Sequence, residues 1–398
     1  MTPPVDRRAL LTGLAASALV AAPSSADAPA LRAAVIGHTG RGDYGHGLDR
    51  IFAGRQGISL VAIADADNAG REQSQRRTSA LRAYADYRAM LERERPDLVC
   101  VAPRQADQHE AMLLASLAAG AHVFCEKPLV CSPDQADRVL AAAAERGRRV
   151  AVAHQMRLHP AVTAVANLLA EGRLGELVHL RGWGKQDQRA GGEDLMVLGT
   201  HVFDLMRLLA GEARWCSARV TTGGRPITAD DGRLTRDNVG LVAGDEIEAH
   251  FGFDRGVTAS FTSRAKLRAH AGWWGLEVIG SQGSARILAD IPPRARLLAT
   301  TGWQATPRVD QWQLVPDCAD EPADAGAFDR ANGRLVDDWL ASIAAGRQPR
   351  CSAADGAAAV EMVAAVYRAA IDARQTALPL AERAHPLRAD ERAIRAIG

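Results

Sequence analysis

The 398-residue sequence has no surplus of charge: 48 Lys and Arg stand against 47 Asp and Glu, a formal net charge of +1. A partner held chiefly by phosphate neutralisation, a nucleic acid above all, has no bulk electrostatic support in such a chain. Beyond the N-terminal segment no apolar run is long enough to cross a bilayer. No repeat of solenoid length and no low-complexity tract is present. Cysteine is sparse and unpatterned: Cys100, Cys125, Cys131, Cys216, Cys318 and Cys351 include no CxxC spacing and no zinc-finger cluster with histidine, so no metal site is expected. Cys100 and Cys125 fall in strands expected to be buried, where cysteine acts as a small hydrophobe. A chain this long needs no disulfide framework to hold its core. Aromatic residues make up only 5%, and all seven tryptophans, Trp183 to Trp339, lie in the later part of the chain. There they can stack on sugars or serve sheet packing and oligomer contact. What remains is ordinary globular material, 47% apolar and 24% charged, of a length that points to two domains.

The N-terminus differs from the rest. "VDRRALLTGLAASALVAAPSSADA" carries Arg7 and Arg8, an apolar stretch from Ala9 to Ala22, and a small-x-small cleavage site at Ala26-Asp27-Ala28. It resembles a twin-arginine export signal; an ordinary secretory signal is the alternative. The expectation is a signal over 1–28, removal near Pro29, and a periplasmic or secreted protein with no stable membrane insertion.

From residue 31 apolar strands alternate with helices. Strands are expected at 31–36, over "ISLVAIADAD" ending in Asp65, over "RPDLVCVAP", "AHVFC" and "RRVAVAH". Helices are expected from the glycine-rich turn to about Gly54, from Asn68 to Leu81, from Ala106 to Ala119, and after Ser132, where Pro133 and Gln135 suggest a capping box. This alternation gives a doubly wound parallel sheet covered on both faces.

Gly37, Gly40, Gly42, Gly45 and Gly47 crowd the turn after the first strand. Pyrophosphate needs close approach to free backbone N–H groups, hence positions without side chains. Gly37 and Gly42 hold the first and third places of G-x-G-x-x-G, Thr39 replaces the middle glycine, and Gly40 and Arg41 fill the gap. Asp65 follows Gly42 by 23 residues, near the spacing of a ribose-binding acid, which favours NAD over NADP. A glycine-rich turn in an unrelated doubly wound fold is the alternative. Ligands in such sheets bind outside the carboxyl ends of strands. "EKP" at 126–128 stands at one of these ends. Lys127 can relay a proton there, Glu126 can position it, and Pro128 fixes the turn, with a cis peptide bond before it as an option. An ordinary salt-bridged strand end is the plainer reading. Pro103 and Arg104 end the neighbouring strand.

The glycine turn, "CEKPL" and the order of segments resemble the glucose–fructose oxidoreductase, inositol dehydrogenase and MocA (Gfo/Idh/MocA) family over essentially the whole mature chain. "LGTHVFDLMRLL" is similar to its DxGxH-xxD helix, "WWGLEVIGSQGSARI" to a later strand hairpin, and "DDWLASIAAGRQP" to a C-terminal helix. The resemblance implies an NAD-binding Rossmann domain, here 29–154, and a C-terminal α/β substrate and oligomerisation domain with a large open antiparallel sheet, here 155–398 with a tail from about Thr376. Residues 223–245 are expected to be a loop or insertion. The resemblance implies a small-molecule carbohydrate substrate and a homo-oligomer. Lys127 becomes the lysine beside the nicotinamide, and His201 the acid/base on the substrate side. Asp204, one turn on, could orient His201. The family's aspartate four residues before the histidine is Val197 here, so Asp194, on a similar helical face, is the candidate substitute. Gln155, Arg157, His159 and Lys185 are candidates to reach substrate. His109 resembles a family histidine or marks a helix start. Three activities fit: oxidation of a sugar hydroxyl, with retained cofactor in a redox-neutral cycle; redox-assisted glycoside hydrolysis or elimination; and nucleotide or sugar binding without catalysis.

Overall fold

A computed structural model describes residues 30–267, 274–299, 312–316 and 318–388. The expected signal and its cleavage site lie outside the described residues, as do Trp273 and Trp303.

Six short strands form a parallel sheet: β1 (Leu31–Ile36), β2 (Ile58–Ala64), β3 (Arg82–Tyr84), β4 (Leu98–Val101), β5 (His122–Cys125) and β6 (Val150–Val152), in the order β3-β2-β1-β4-β5-β6. Their runs are apolar without alternation because both faces are covered; every residue of β4 is buried. Helices α1 (Asn68–Thr78), α2 (Tyr87–Glu94), α3 (His109–Ala118) and α4 (Pro133–Glu145) connect them. Neither β3 nor α2 was expected. β3 is three partly exposed residues with no apolar run to mark it. The capping box of α4 does not form: Ser132 donates to Asp134, and Gln135 accepts from the Cys131 N–H instead.

The larger correction follows β1. No helix runs to Gly54; the described residues form turns and one 3-10 turn, Leu48–Arg50. Gly40, Gly42, Gly45 and Gly47 all have positive φ, as does Asp43, and a right-handed helix cannot propagate through them. The face such a helix would cover is filled by Tyr44, Leu48, Ile51 and Phe52, and by a helix from far along the chain, α8 (Ala327–Ala344), through Leu335, Val336 and Trp339.

The second layer is a mixed, mostly antiparallel sheet in the order β15-β14-β13-β12-β7-β11-β10-β8-β16, with β9 beside β8. Its strands are β7 (Leu177–Trp183), β8 (Ala213–Thr222), β9 (Arg225–Pro226), β10 (Glu246–Phe253), β11 (Thr258–Arg264), β12 (Trp274–Gly280), β13 (Ser284–Ala289), β14 (Arg294–Leu298), β15 (Gln313–Leu314) and β16 (Thr376–Ala377). Among the described residues of this sheet, only β7 and β11 pair in parallel. Three helices, α5 (Pro160–Ala170), α7 (Thr200–Ala210) and α9 (Ala353–Asp372), supply one core with it. In that core Phe203 meets Phe251 and Phe261 edge-on, at 5.1 and 5.2 Å between centroids. A one-turn helix α6 (Gly192–Asp194) and a π turn, Leu195–Gly199, lead directly into α7. After Thr376 the chain pairs with β8 and buries Leu378, Leu380 and Leu387.

Candidate active site

A cavity of about 490 Å³ opens at the carboxyl ends of the parallel strands, between the two layers. The turn after β1 contributes Gly40, Gly42 and His46, β4 Arg104, β5 Lys127, and β6 Gln155. The second layer contributes Lys185, Val197, His201 and Trp274. Arg236, Asp237 and Val239 come from the 223–245 connection, which holds β9 and a 3-10 turn within an otherwise irregular path.

Glu126, fully buried, accepts the Lys127 backbone N–H at 2.6 Å and meets His46 Nδ1 at 2.5 Å. Burial alone would raise its carboxyl; His46 and Lys127 outweigh that and hold it below its ordinary value. Glu126 therefore fixes the backbone that presents Lys127 and ties it to the glycine turn. The Lys127–Pro128 bond is cis. Lys127 is 6% exposed, and its Nζ donates to the Val197 carbonyl at 3.1 Å. Burial lowers the Lys127 pKa, opposed by Glu126 and reinforced by Arg189. A lysine in that state exchanges a proton more readily than a solvated one.

His201 is also 6% exposed, and its rings neighbours are Trp274 at 5.7 Å and His154 at 5.3 Å between centroids. Burial, then Lys127, His154 and His46, holds its pKa well below the ordinary value, so it is neutral. Lys127 and His201, from different layers, thus line one cavity.

The expected orienting acids sit elsewhere. Asp204 accepts from Arg157 Nη1 at 2.6 Å and lies 3.4 Å from His154 Nδ1, not on His201. Burial would raise its carboxyl, but His154 and Arg157 hold it low. Asp194 accepts from Ser263 Oγ and from the backbone N–H of Lys185 and Gln186. Burial raises its pKa, and its role is to hold the Lys185 loop. The π turn between Asp194 and His201 widens the helix locally, so seven residues no longer return to one face. Arg157 is likewise structural, spanning Asp204, Asp355 and the Arg350 carbonyl. His159 caps α5 and meets Glu321 at 3.0 Å. Gln155 and Lys185 do line the cavity, and Gln155 Nε2 is buried without a partner among the described residues. His109 starts α3 and bridges the carbonyls of Pro103 and Pro128 at 2.7 and 2.9 Å, binding the two strand-end loops together.

The turn after β1 leaves its backbone open to close approach at Gly40. Open space lies over Gly40, while a Cβ on Gly42 would come within 2.5 Å of the Arg104 and Gln105 backbone nitrogens. Thr39, in place of the middle glycine, is drawn inward: its Oγ1 donates to Asp65 at 2.7 Å and packs on Gly70, leaving the outer surface clear. Asp65 itself is 1% exposed, and its oxygens also accept from the N–H groups of Thr39 and Asp67. A ribose hydroxyl reaches that carboxylate only where Thr39 gives way. Arg41 turns outward to an ion pair with Asp107, and Arg104 stands 3.6 Å from Asp43.

Several site residues were not foreseen. His46 stacks on Phe328 at 4.8 Å between centroids, and nothing in a glycine-rich turn marked it. His154 lies two residues past the β6 strand; its place beyond a strand's carboxyl end was the available signal. Behind His201, the ligand atoms of His154, Asp204 and Cys351 lie within 4.8 Å of one another. Burial pushes the Cys351 thiol well up, and Arg157 already answers the Asp204 charge.

Comparison with known proteins places these features in context. Residues 31–154 match the family model of the oxidoreductase family, NAD-binding Rossmann fold, and residues 167–378 match that of its C-terminal alpha/beta domain. The chain is 26% identical to D-apiose dehydrogenase of Paraburkholderia graminis over 347 residues, 83% of this chain and 86% of that one. It is 28% identical to D-glucoside 3-dehydrogenase of Escherichia coli over 193 residues, 46% and 54% of the two chains. A solved levoglucosan dehydrogenase, in complex with NADH and L-sorbose, superposes with a TM-score of 0.69 at 21% identity, covering 89% of this chain and 100% of that one.

Proposed function

The chain belongs to the Gfo/Idh/MocA oxidoreductase family, and from that premise we propose that it oxidises or reduces a carbon-bound hydroxyl of a sugar, polyol or glycoside with a nicotinamide cofactor. The observation that carries this reading is the convergence of Lys127 and His201 on one cavity beside an open glycine turn. The sugar dehydrogenases among its relatives support the substrate class. Gly40, Gly42 and Arg104 would hold the cofactor, which when bound supplies the hydride acceptor. His201 takes and returns the hydroxyl proton, Lys127 hydrogen-bonds the same oxygen and can pass a proton to it, and Trp274 offers an apolar face to a sugar ring.

NAD is the preferred form on this reading, because the Asp65 carboxylate behind the turn repels a 2′-phosphate. Asp65→Ser should then narrow the preference for NAD over NADP in binding titrations; selection of NADP by the unaltered protein would overturn it. The twin-arginine-like segment supports export, and an exported enzyme with a retained cofactor supports a redox-neutral cycle. Val197, where the family has an acid, favours a second reading: nucleotide or sugar binding without catalysis. Absorbance in the reduced-nicotinamide band, followed as glycosides and free sugars are added, tests the oxidoreductase reading. A change in that band supports it, and a protein that binds sugars with no change across the panel is a binding module. Mass spectrometry of products separates net oxidation from cleavage.

A further inference from the structure

His201 and two buried side chains behind it have polar atoms without a hydrogen-bond partner among the described residues. His201 Nδ1, both ring nitrogens of His154, and Asp204 Oδ2 are buried without a hydrogen-bond partner among the described residues. Orphaned buried polar groups are costly, and several in contact point to one unmade network. The residues stand in a row. His201 faces the cavity from α7. The His154 ring, 1% exposed and two residues past β6, is 5.3 Å from it between centroids and tilted by 60°. Asp204 Oδ1 is 3.4 Å from His154 Nδ1, without hydrogen-bond alignment. Arg157 fixes Asp204 from behind at 2.6 Å and is itself held by Asp355. The other groups facing His201 are Lys127 from β5, His46 from the glycine turn and Trp274 from β12.

We infer that His154 is a positioning residue which, with Asp204, replaces the carboxylate absent at Val197. With a single proton on the His154 ring, one assignment satisfies the row. His154 Nδ1–H donates to Asp204, His154 Nε2 accepts, and His201 Nδ1–H donates to it. His201 Nε2 is then a bare acceptor turned to the cavity. When a substrate hydroxyl gives its proton to that nitrogen, the imidazolium keeps its Nδ1 proton on His154, and the Asp204 carboxylate stabilises the charge through the intervening ring. The reverse step returns the same proton, so the row neither gains nor loses one. This role rests on the proposed reaction, but the tautomer it demands does not.

The test is therefore read without substrate. Nitrogen-15 NMR of the histidine-labelled full chain reports the tautomer of His201, assigned by loss of its signal in His201→Gln. The wild type should be Nδ1-protonated by on the order of tenfold over the other tautomer. His154→Phe fills the same space without nitrogens and should abolish that preference while the melting temperature stays near the wild-type value. His154→Gln, which can accept and donate along the same line, should keep it. A wild-type His201 protonated at Nε2 overturns the inference, as does an unchanged tautomer in folded His154→Phe; the wild-type spectrum decides even where the variant fails to fold. Inactivity of the wild type toward every sugar would count against the proposed reaction and leave the tautomer result standing.

Discussion

Lys127 is the residue on which the chemistry turns, and its environment says what its loss should do. It is buried, its backbone is pinned by Glu126, and its ammonium reaches the Val197 carbonyl of the opposite layer. Lys127→Met keeps most of the volume and removes the exchangeable proton. Turnover should fall by roughly 10²–10⁴, with nicotinamide affinity changed far less. Turnover close to wild type, in kinetics on whichever sugar the band-shift assay identifies, would remove Lys127 from the mechanism. Lys127 was legible in the sequence because charge and proline at the end of a buried strand contradict the strand's own pattern. Arg157 and His159 were misread for the same kind of reason. They follow a strand end too, but their partners Asp204, Asp355 and Glu321 lie 47 to 198 residues away, and no local pattern announces them.

At the scale of elements, the turn after β1 is where local reading failed and long-range packing took over. Glycines that open the backbone to a dinucleotide also forbid the helix expected there, and α8 supplies the missing cover. Trp339 is its deepest residue, fully buried against Phe52 and Phe124 with its Nε1 donating to the Arg149 carbonyl. Trp339→Ala should cost about 3–5 kcal/mol in denaturant unfolding. A loss under 1 kcal/mol would mean that the helix is not what closes this face. Strands β1, β2, β4, β5 and β6 were legible because continuous apolar runs bounded by turns leave few alternatives; β3 and the π turn were not, since neither has a periodic signature. At the start of β5, His122 accepts the Arg149 N–H at 2.9 Å. Burial, then Arg148 and Arg149, lowers its pKa from 6.5 to about 4. The unfolded chain takes up a proton near 6.5 and the folded one only near 4, so between those values unfolding is favoured by protonation. The contribution is whole above 6.5 and is lost as the pH falls toward 4. Melting curves at pH 7.5 and pH 5 should show a larger drop for wild type than for His122→Gln. Equal drops would show that His122 titrates alike in both states.

The whole molecule joins an NAD-binding Rossmann domain to an N-terminal segment that resembles an export signal, and on the proposal that this segment directs export the cofactor must travel with the chain. Nicotinamide nucleotides are made in the cytoplasm, and a route that carries folded proteins lets the site fill before crossing. The architecture suits retention. The cavity lies between two layers rather than on one surface, and its walls come from eight or more separate segments, among them the glycine turn, the ends of β4, β5 and β6, and the 223–245 connection. An enzyme that cannot exchange its cofactor must restore it within each turnover, through a second sugar half-reaction or by re-reducing the substrate it has just oxidised. On the proposal that the segment directs export of a loaded enzyme, the protein purified without added nucleotide and then denatured should release close to one nicotinamide nucleotide per chain, and the intact protein should turn over without any supplement. A protein that emerges empty and works only with freely exchanging NAD would establish a conventional dehydrogenase, with an N-terminal segment that does something other than carry a loaded enzyme across a membrane.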